Sequence, residues 1–80
     1  MIGTVSSLVR AKGFGFILDE DGHDRFFHSR DLHGIFFDDF AQQFEAGVKI
    51  QVLFDPTSVV RGDRPKNNGL RAENITVVPA

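Results

Sequence analysis

No cysteine occurs among the 80 residues, so neither a disulfide framework nor a thiolate metal site can brace this fold. Tryptophan and tyrosine are also missing, and only three prolines interrupt the chain. No apolar run approaches the length of a membrane span, which argues against a membrane partner. The opening Met1-Ile2-Gly3-Thr4-Val5 lacks the basic segment and apolar stretch of a secretory leader. With cysteine absent, a cytoplasmic location is expected. No serine or cysteine nucleophile has a plausible base, and neither a phosphate-cradling glycine loop nor paired carboxylates in an apolar setting are present, so no catalytic residue is assigned and an enzyme is not expected. His23, His28 and His33 recur every five residues, a spacing that puts His23 and His28 on opposite faces of a strand. A closed zinc site is not expected there, and no metal or other cofactor is assigned.

The length fits one domain, residues 1–80, near the lower limit for a self-sufficient core. Nine phenylalanines supply the large apolar area that such a core needs, so several of them must be structural. The net charge of −2 argues mildly against a generic phosphate binder, but the charge is unevenly spread. Between Asp19 and Glu45, eight acidic residues face two basic ones, which reads as a solvated edge. Arg61, Arg64, Lys66 and Arg71 then form a basic segment, and Arg10 and Lys12 form a second basic spot. A local positive rim is compatible with this polarity.

The strongest local pattern is Lys12-Gly13-Phe14-Gly15-Phe16-Ile17, followed by Arg25-Phe26-Phe27-His28. Successive side chains of a strand point to opposite faces. Phe14 and Phe16 therefore share one face, and Gly13, Gly15 and Ile17 the other. Phe26 and His28 share a face, while Phe27 turns inward. Aromatics beside glycine-thinned backbone suggest a flat, outward platform of the kind that stacks nucleobases. The plainer alternative is that Phe14 and Phe16 are core residues and the glycines permit a tight bend.

Around this pattern the chain reads as a run of short strands. Ile2 to Val9 is the first, and the odd spacing of its inward residues Val5 and Leu8 signals a bulge or bend. Arg10-Ala11-Lys12 is a turn, Gly13 to Leu18 the second strand, Glu20-Asp21-Gly22-His23 a turn, and Asp24 to His28 the third strand. Ser29 is expected to cap one helical turn through Leu32. Phe36, Phe40 and Phe44 recur at helical spacing, so a short helix from Phe40 to Phe44 is expected, capped by Asp38 or Asp39 and ended at Ala46-Gly47. Its Phe40 and Phe44 plug one end of the core. Val48 to Phe54 is the fourth strand, inward through Val48, Ile50, Val52 and Phe54, and ended by Pro56. Thr57 to Asn68 is a long polar loop, and Leu70 to Val78 the last strand, with Ala72, Ile75 and Val77 inward. The fold class is all-β: a small five-stranded antiparallel Greek-key barrel of the oligonucleotide-binding type, with a short helical insertion between strands three and four.

The motif Lys12-Gly13-Phe14-Gly15-Phe16-Ile17 resembles the first RNP motif of bacterial cold-shock proteins, and Phe26-Phe27-His28 resembles the core of the second. Gly3-Thr4-Val5, Phe44-Glu45-Ala46-Gly47 and Gly69-Leu70-Arg71-Ala72-Glu73-Asn74-Ile75 extend the resemblance over most of the chain. It implies a barrel that binds single-stranded RNA or DNA with little sequence preference and acts as a nucleic-acid chaperone or expression regulator. By position, Phe14, Phe16, Phe26 and His28 become the stacking residues, and Lys12 a contact to phosphate or a base edge. Phe36 or Phe37 stands for the family's loop aromatic.

Several positions depart from the family pattern. Ser7 stands where a tryptophan is usual, Ser6 where a lysine is common, Ser29 where a phenylalanine follows the motif histidine, and Arg25 where a small residue points inward. Stacking contributes roughly 1–3 kcal/mol per base, so two missing aromatics narrow the platform and weaken binding. Either affinity is lower than the family's, or Arg30 and the basic loop with Arg61, Arg64 and Lys66 partly compensate by ion pairing and guanidinium stacking. Lys12, Arg10, Arg30 and the rim from Arg61 to Arg71 are expected to neutralise phosphates. For Arg61 to Lys66 the plain alternative is a solvated loop. A reading from another class keeps the barrel as a protein-interaction or self-associating module, with Phe36 and Phe37 as interface aromatics. The expected state is a monomer or weak dimer.

Overall fold

The computed structural model describes residues 1–58 and 70–78. Five strands close into a barrel: β1 (Ile2–Val9), β2 (Phe14–Asp19), β3 (Asp24–His28), β4 (Gln51–Ser58) and β5 (Leu70–Val77). Their order around the wall is β1-β2-β3-β5-β4, a meander followed by two strands that return to meet β1. Neighbours pair antiparallel except β3 and β5, which run parallel at Phe26 and Arg71. One helix, α1 (Phe37–Glu45), is inserted between β3 and β4. The sequence expectation of a small all-β barrel with a helical insertion is met.

The bulge read from Val5 and Leu8 lies where the β1–β2 register shifts between Val5 and Ser7. A 3-10 turn over Arg10–Lys12 then ends in Gly13, at φ 71°, so Gly13 caps the turn and does not begin β2. This left-handed conformation suits glycine, which has no Cβ to clash. Gly15 serves a different purpose. A Cβ there would lie 2.8 Å from both the Phe27 ring and the Ser7 carbonyl oxygen, so the missing side chain lets Phe27 pack under β2.

Val5, Ile17, Phe27, Phe40, Ile50, Val52, Phe54, Ala72 and Ile75 form the buried core. Burying each large apolar side chain contributes roughly 1.5–3 kcal/mol. Phe40 reaches this core from α1 and meets Phe27 edge-on, with ring centroids 5.9 Å apart. Phe44 packs against the same cluster, so α1 closes one end of the barrel as its spacing predicts.

Several boundaries differ from the sequence reading. The helix begins at Phe37, and neither Asp38 nor Asp39 caps it. Phe36 is the N-cap, without a side-chain hydrogen bond, and the two aspartates occupy the first turn, where the helix dipole favours negative charge. In the turn after β3, Ser29 is not the cap. His28 takes that role: its Nδ1 accepts from the Arg30 N–H, and Asp31 Oδ2 accepts from the His28 N–H.

Val48 lies outside β4 and is exposed, not inward. Pro56 does not end β4 but sits within it, opposite Ala72. β1 contacts β4 only from Gln51 to Leu53, so at Pro56 the strand is paired on one side and no ladder is broken. Consequently Thr57 and Ser58 belong to β4, not to the long loop. In β5 Asn74 adopts φ 50°, and its side-chain amide donates to Asp55 Oδ2 across 2.8 Å. This kink explains why Ala72 and Ile75 are both buried at odd spacing.

Candidate functional site

Strand pairing sets the functional face. Phe16 on β2 lies opposite Ser7 on β1 and Phe26 on β3, and Phe26 in turn lies opposite Arg71 on β5. Phe14 lies opposite His28 in the next row. Each of these aromatic side chains is half-buried. The alternation that exposes them buries Gly15, Ile17, Arg25 and Phe27 on the opposite face. Phe14 and Phe16 are therefore not residues of the barrel core.

The three phenylalanine rings form one cluster. Centroid separations are 6.0 Å for Phe14–Phe16, 5.4 Å for Phe14–Phe26 and 5.9 Å for Phe16–Phe26. The expected flat platform is in fact faceted. Phe16 meets Phe14 at 88° and Phe26 at 72°, while Phe14 and Phe26 are tilted by 35°. Edge-to-face packing suits the ring quadrupoles and lets each ring shield a neighbour's edge from water. Such a surface offers apolar faces to planar, aromatic ligands.

His28 is fixed at the margin. An Nδ1 that accepts the Arg30 N–H carries no proton, which puts the neutral ring's proton on Nε2. Ser29 Oγ lies 3.4 Å from the same nitrogen. The 3-10 cap thus orients an imidazole whose Nε2 is left to donate.

The predicted cations divide. Lys12 and Arg30 are exposed and, among the described residues, make no ion pair. Arg10 is not brought to the aromatic rows. Its guanidinium lies 2.9 Å from Glu45 Oε1 and 3.8 Å from Asp38 on α1. Both partners are exposed, so this pair adds little stability, but it matches the charge that was expected to meet phosphate. Arg61, Arg64 and Lys66 lie outside the described residues.

Phe36 and Phe37 also divide. Phe37 packs against the core, whereas Phe36 is 81% exposed. Phe36 borders a cavity of about 520 Å³ lined by Leu32, His33, Gly34, Ile35 and Asp39. Among the described residues no ring contact joins Phe36 to the Phe14–Phe16–Phe26 cluster.

Two arginines have roles that the sequence did not disclose. Arg71 sits over the Phe26 ring, with its guanidinium carbon 5.1 Å from the centroid, a cation–π distance. One terminal nitrogen lies 3.8 Å from Asp31. The sequence placed Arg71 in a basic rim expected to meet phosphate but not over Phe26, because its register against Phe26 depends on the β3–β5 pairing. Arg25 is buried. Its Nε donates to Asp19 Oδ2 at 2.7 Å, and Nη1 donates to the carbonyls of Thr57 and Arg71. Asp19 Oδ1 accepts from the N–H groups of Asp21 and His23. Burial pushes the Asp19 carboxyl up, but the His23 N–H, the Arg25 side chain, the Asp21 N–H and the Arg25 charge outweigh it and hold the carboxyl below its usual value. Asp19, Asp21 and His23 converge, yet Arg25 already supplies the cation that this cluster faces.

The barrel and its clustered outer aromatics define a small oligonucleotide-binding-type fold with an apolar face on β2 and β3. No family model matches the sequence. The chain is 37% identical over 76 residues to the major cold shock protein CspA of Pseudomonas aeruginosa, covering 95% of this chain and 91% of that protein. It belongs to the cold-shock protein family and is a divergent member. Among the described residues no helix is long and apolar enough to cross a membrane.

Proposed function

We propose that the chain binds single-stranded RNA or DNA with low sequence preference. The Phe14–Phe16–Phe26 cluster on the outer face of β2 and β3 is the observation that carries this reading. Large aromatics at an open surface are costly unless a ligand uses them, and every nucleobase offers a π-face. His28 adds a ring and an Nε2 donor at the margin. Lys12 and Arg30, which make no ion pair among the described residues, supply positive charge for phosphate, and Phe36 is the loop aromatic. Arg10 contributes less, because α1 already matches its charge. Arg61, Arg64 and Lys66 add to the basic rim by their charge.

The mechanism needs no nucleotide hydrolysis. A protein that binds unpaired strands and not duplex pulls the pairing equilibrium toward the open state by mass action. Weak secondary structure in RNA melts as a result, which is the action of a nucleic-acid chaperone in the cytoplasm.

The test is a fluorescence-anisotropy titration of fluorescein-labelled oligo-dT and oligo-U at low and moderate salt. Saturable, salt-sensitive binding, lost in Phe16→Ala and Phe26→Ala, is expected. No binding at tens of micromolar protein, with concentration-dependent self-association instead, would overturn the reading in favour of a protein-interaction module.

A further inference from the structure

The register across the sheet places four residues in one row: Ser7 on β1, Phe16 on β2, Phe26 on β3 and Arg71 on β5. Paired residues point to the same face, and neighbouring strands are about 4.8 Å apart. The row ends in a small exposed hydroxyl at β1 and a guanidinium over an aromatic ring at β5. Its apolar and cationic surface is therefore displaced away from β1.

What holds Arg71 is informative. Its Nε is buried and, among the described residues, has no hydrogen-bond partner. Its ion pair with Asp31 is long, at 3.8 Å, and leaves the side chain about a quarter exposed (28%). Among the described residues, the guanidinium is thus positioned by the Phe26 ring more than by hydrogen bonds. The part of this side chain that stays exposed suits a base through stacking and a phosphate through charge.

We propose that Arg71 is a member of the base-binding face, whose guanidinium over Phe26 extends the stacking row onto β5 and takes one nucleotide there. The inference rests on the single-strand-binding reading above. It assigns to β5 the end of the row that Ser7 leaves bare on β1.

The test compares wild type, Phe16→Ala, Arg71→Lys and Arg71→Met in oligo-dT titrations across salt concentrations. All variants are checked by circular dichroism and thermal unfolding. Arg71→Met keeps an unbranched stem over Phe26 but removes the plane and the charge. About tenfold weaker binding and a salt slope shallower by about 0.7 are expected. Arg71→Lys keeps the charge, so the salt slope should hold while affinity still falls severalfold. If Arg71→Met does not fold, Arg71→Lys alone decides. Wild-type affinity in Arg71→Lys would overturn the stacking role, as would wild-type affinity in a folded Arg71→Met. Loss of binding in Phe16→Ala alongside either result leaves the general reading standing. If the wild-type protein itself does not bind, the general reading and this inference both fall.

Discussion

Arg25 donates to Asp19 across 2.7 Å within the barrel, and the same guanidinium reaches the carbonyls of Thr57 and Arg71. One side chain on β3 therefore ties β2, β4 and β5 together. Removing one partner of a buried ion pair leaves the other charged and desolvated, a loss of about 3–5 kcal/mol. Small domains have only about 5–15 kcal/mol in total. Arg25→Met should accordingly lower the urea midpoint steeply. Asp19→Asn keeps an acceptor for the Asp21 and His23 N–H groups and should lose less. Equal losses in the two variants would contradict this arrangement.

The lowered Asp19 carboxyl fixes the sign of a pH effect. A carboxyl with a depressed folded-state value stabilises the fold above its unfolded value, near 3.8, and loses that contribution as pH falls through the lower folded value. Wild-type stability should therefore drop below about pH 4 more steeply than that of Asp19→Asn. Parallel curves for the two proteins across acid pH would show that Asp19 is not responsible.

Gly15→Ala places a methyl group 2.8 Å from the Phe27 ring and the Ser7 carbonyl. Overpacking of this kind costs about 1–3 kcal/mol. Thermal unfolding is the check, with a lowered midpoint expected. Since Phe14 and Phe16 flank this residue, weaker oligonucleotide binding should accompany the shift. An unchanged midpoint would mean that Phe27 relaxes freely beneath β2.

Phe36→Ala and Phe37→Ala should separate ligand binding from stability. Phe36 is largely exposed, so its removal should leave the unfolding free energy within about 0.5 kcal/mol of wild type while weakening oligonucleotide binding severalfold. Phe37 packs on the core, and its truncation should cost about 1–3 kcal/mol. The reverse pattern would exchange the two assignments.

Much of this was readable from residues alone. Alternation gave the meander of β1 to β3, and the odd spacing of Val5 and Leu8 announced the bulge. The Phe36-Phe40-Phe44 period located the helix, although its start was missed because Phe36 caps it without a side-chain hydrogen bond. Pro56 misled because whether a proline ends a strand depends on how many neighbours that strand has. The deepest misses concern contacts distant in sequence. Nothing local says that Arg25 meets Asp19, or that Arg71 comes to rest over Phe26, because both depend on how the barrel closes.

That closure is narrow. β3 and β5 meet at the Phe26–Arg71 register pair, with a bridge from Leu32 to Ile75 beyond it. Two arginines stitch this seam from opposite sides of the wall. Arg25 grips the Arg71 carbonyl from within, and the Arg71 guanidinium lies on Phe26 from without. A nucleic-acid strand resting on both Phe26 and Arg71 would add a third stitch. Holding a ligand and keeping the barrel shut then become one equilibrium, in which occupancy of the outer face is also resistance to opening.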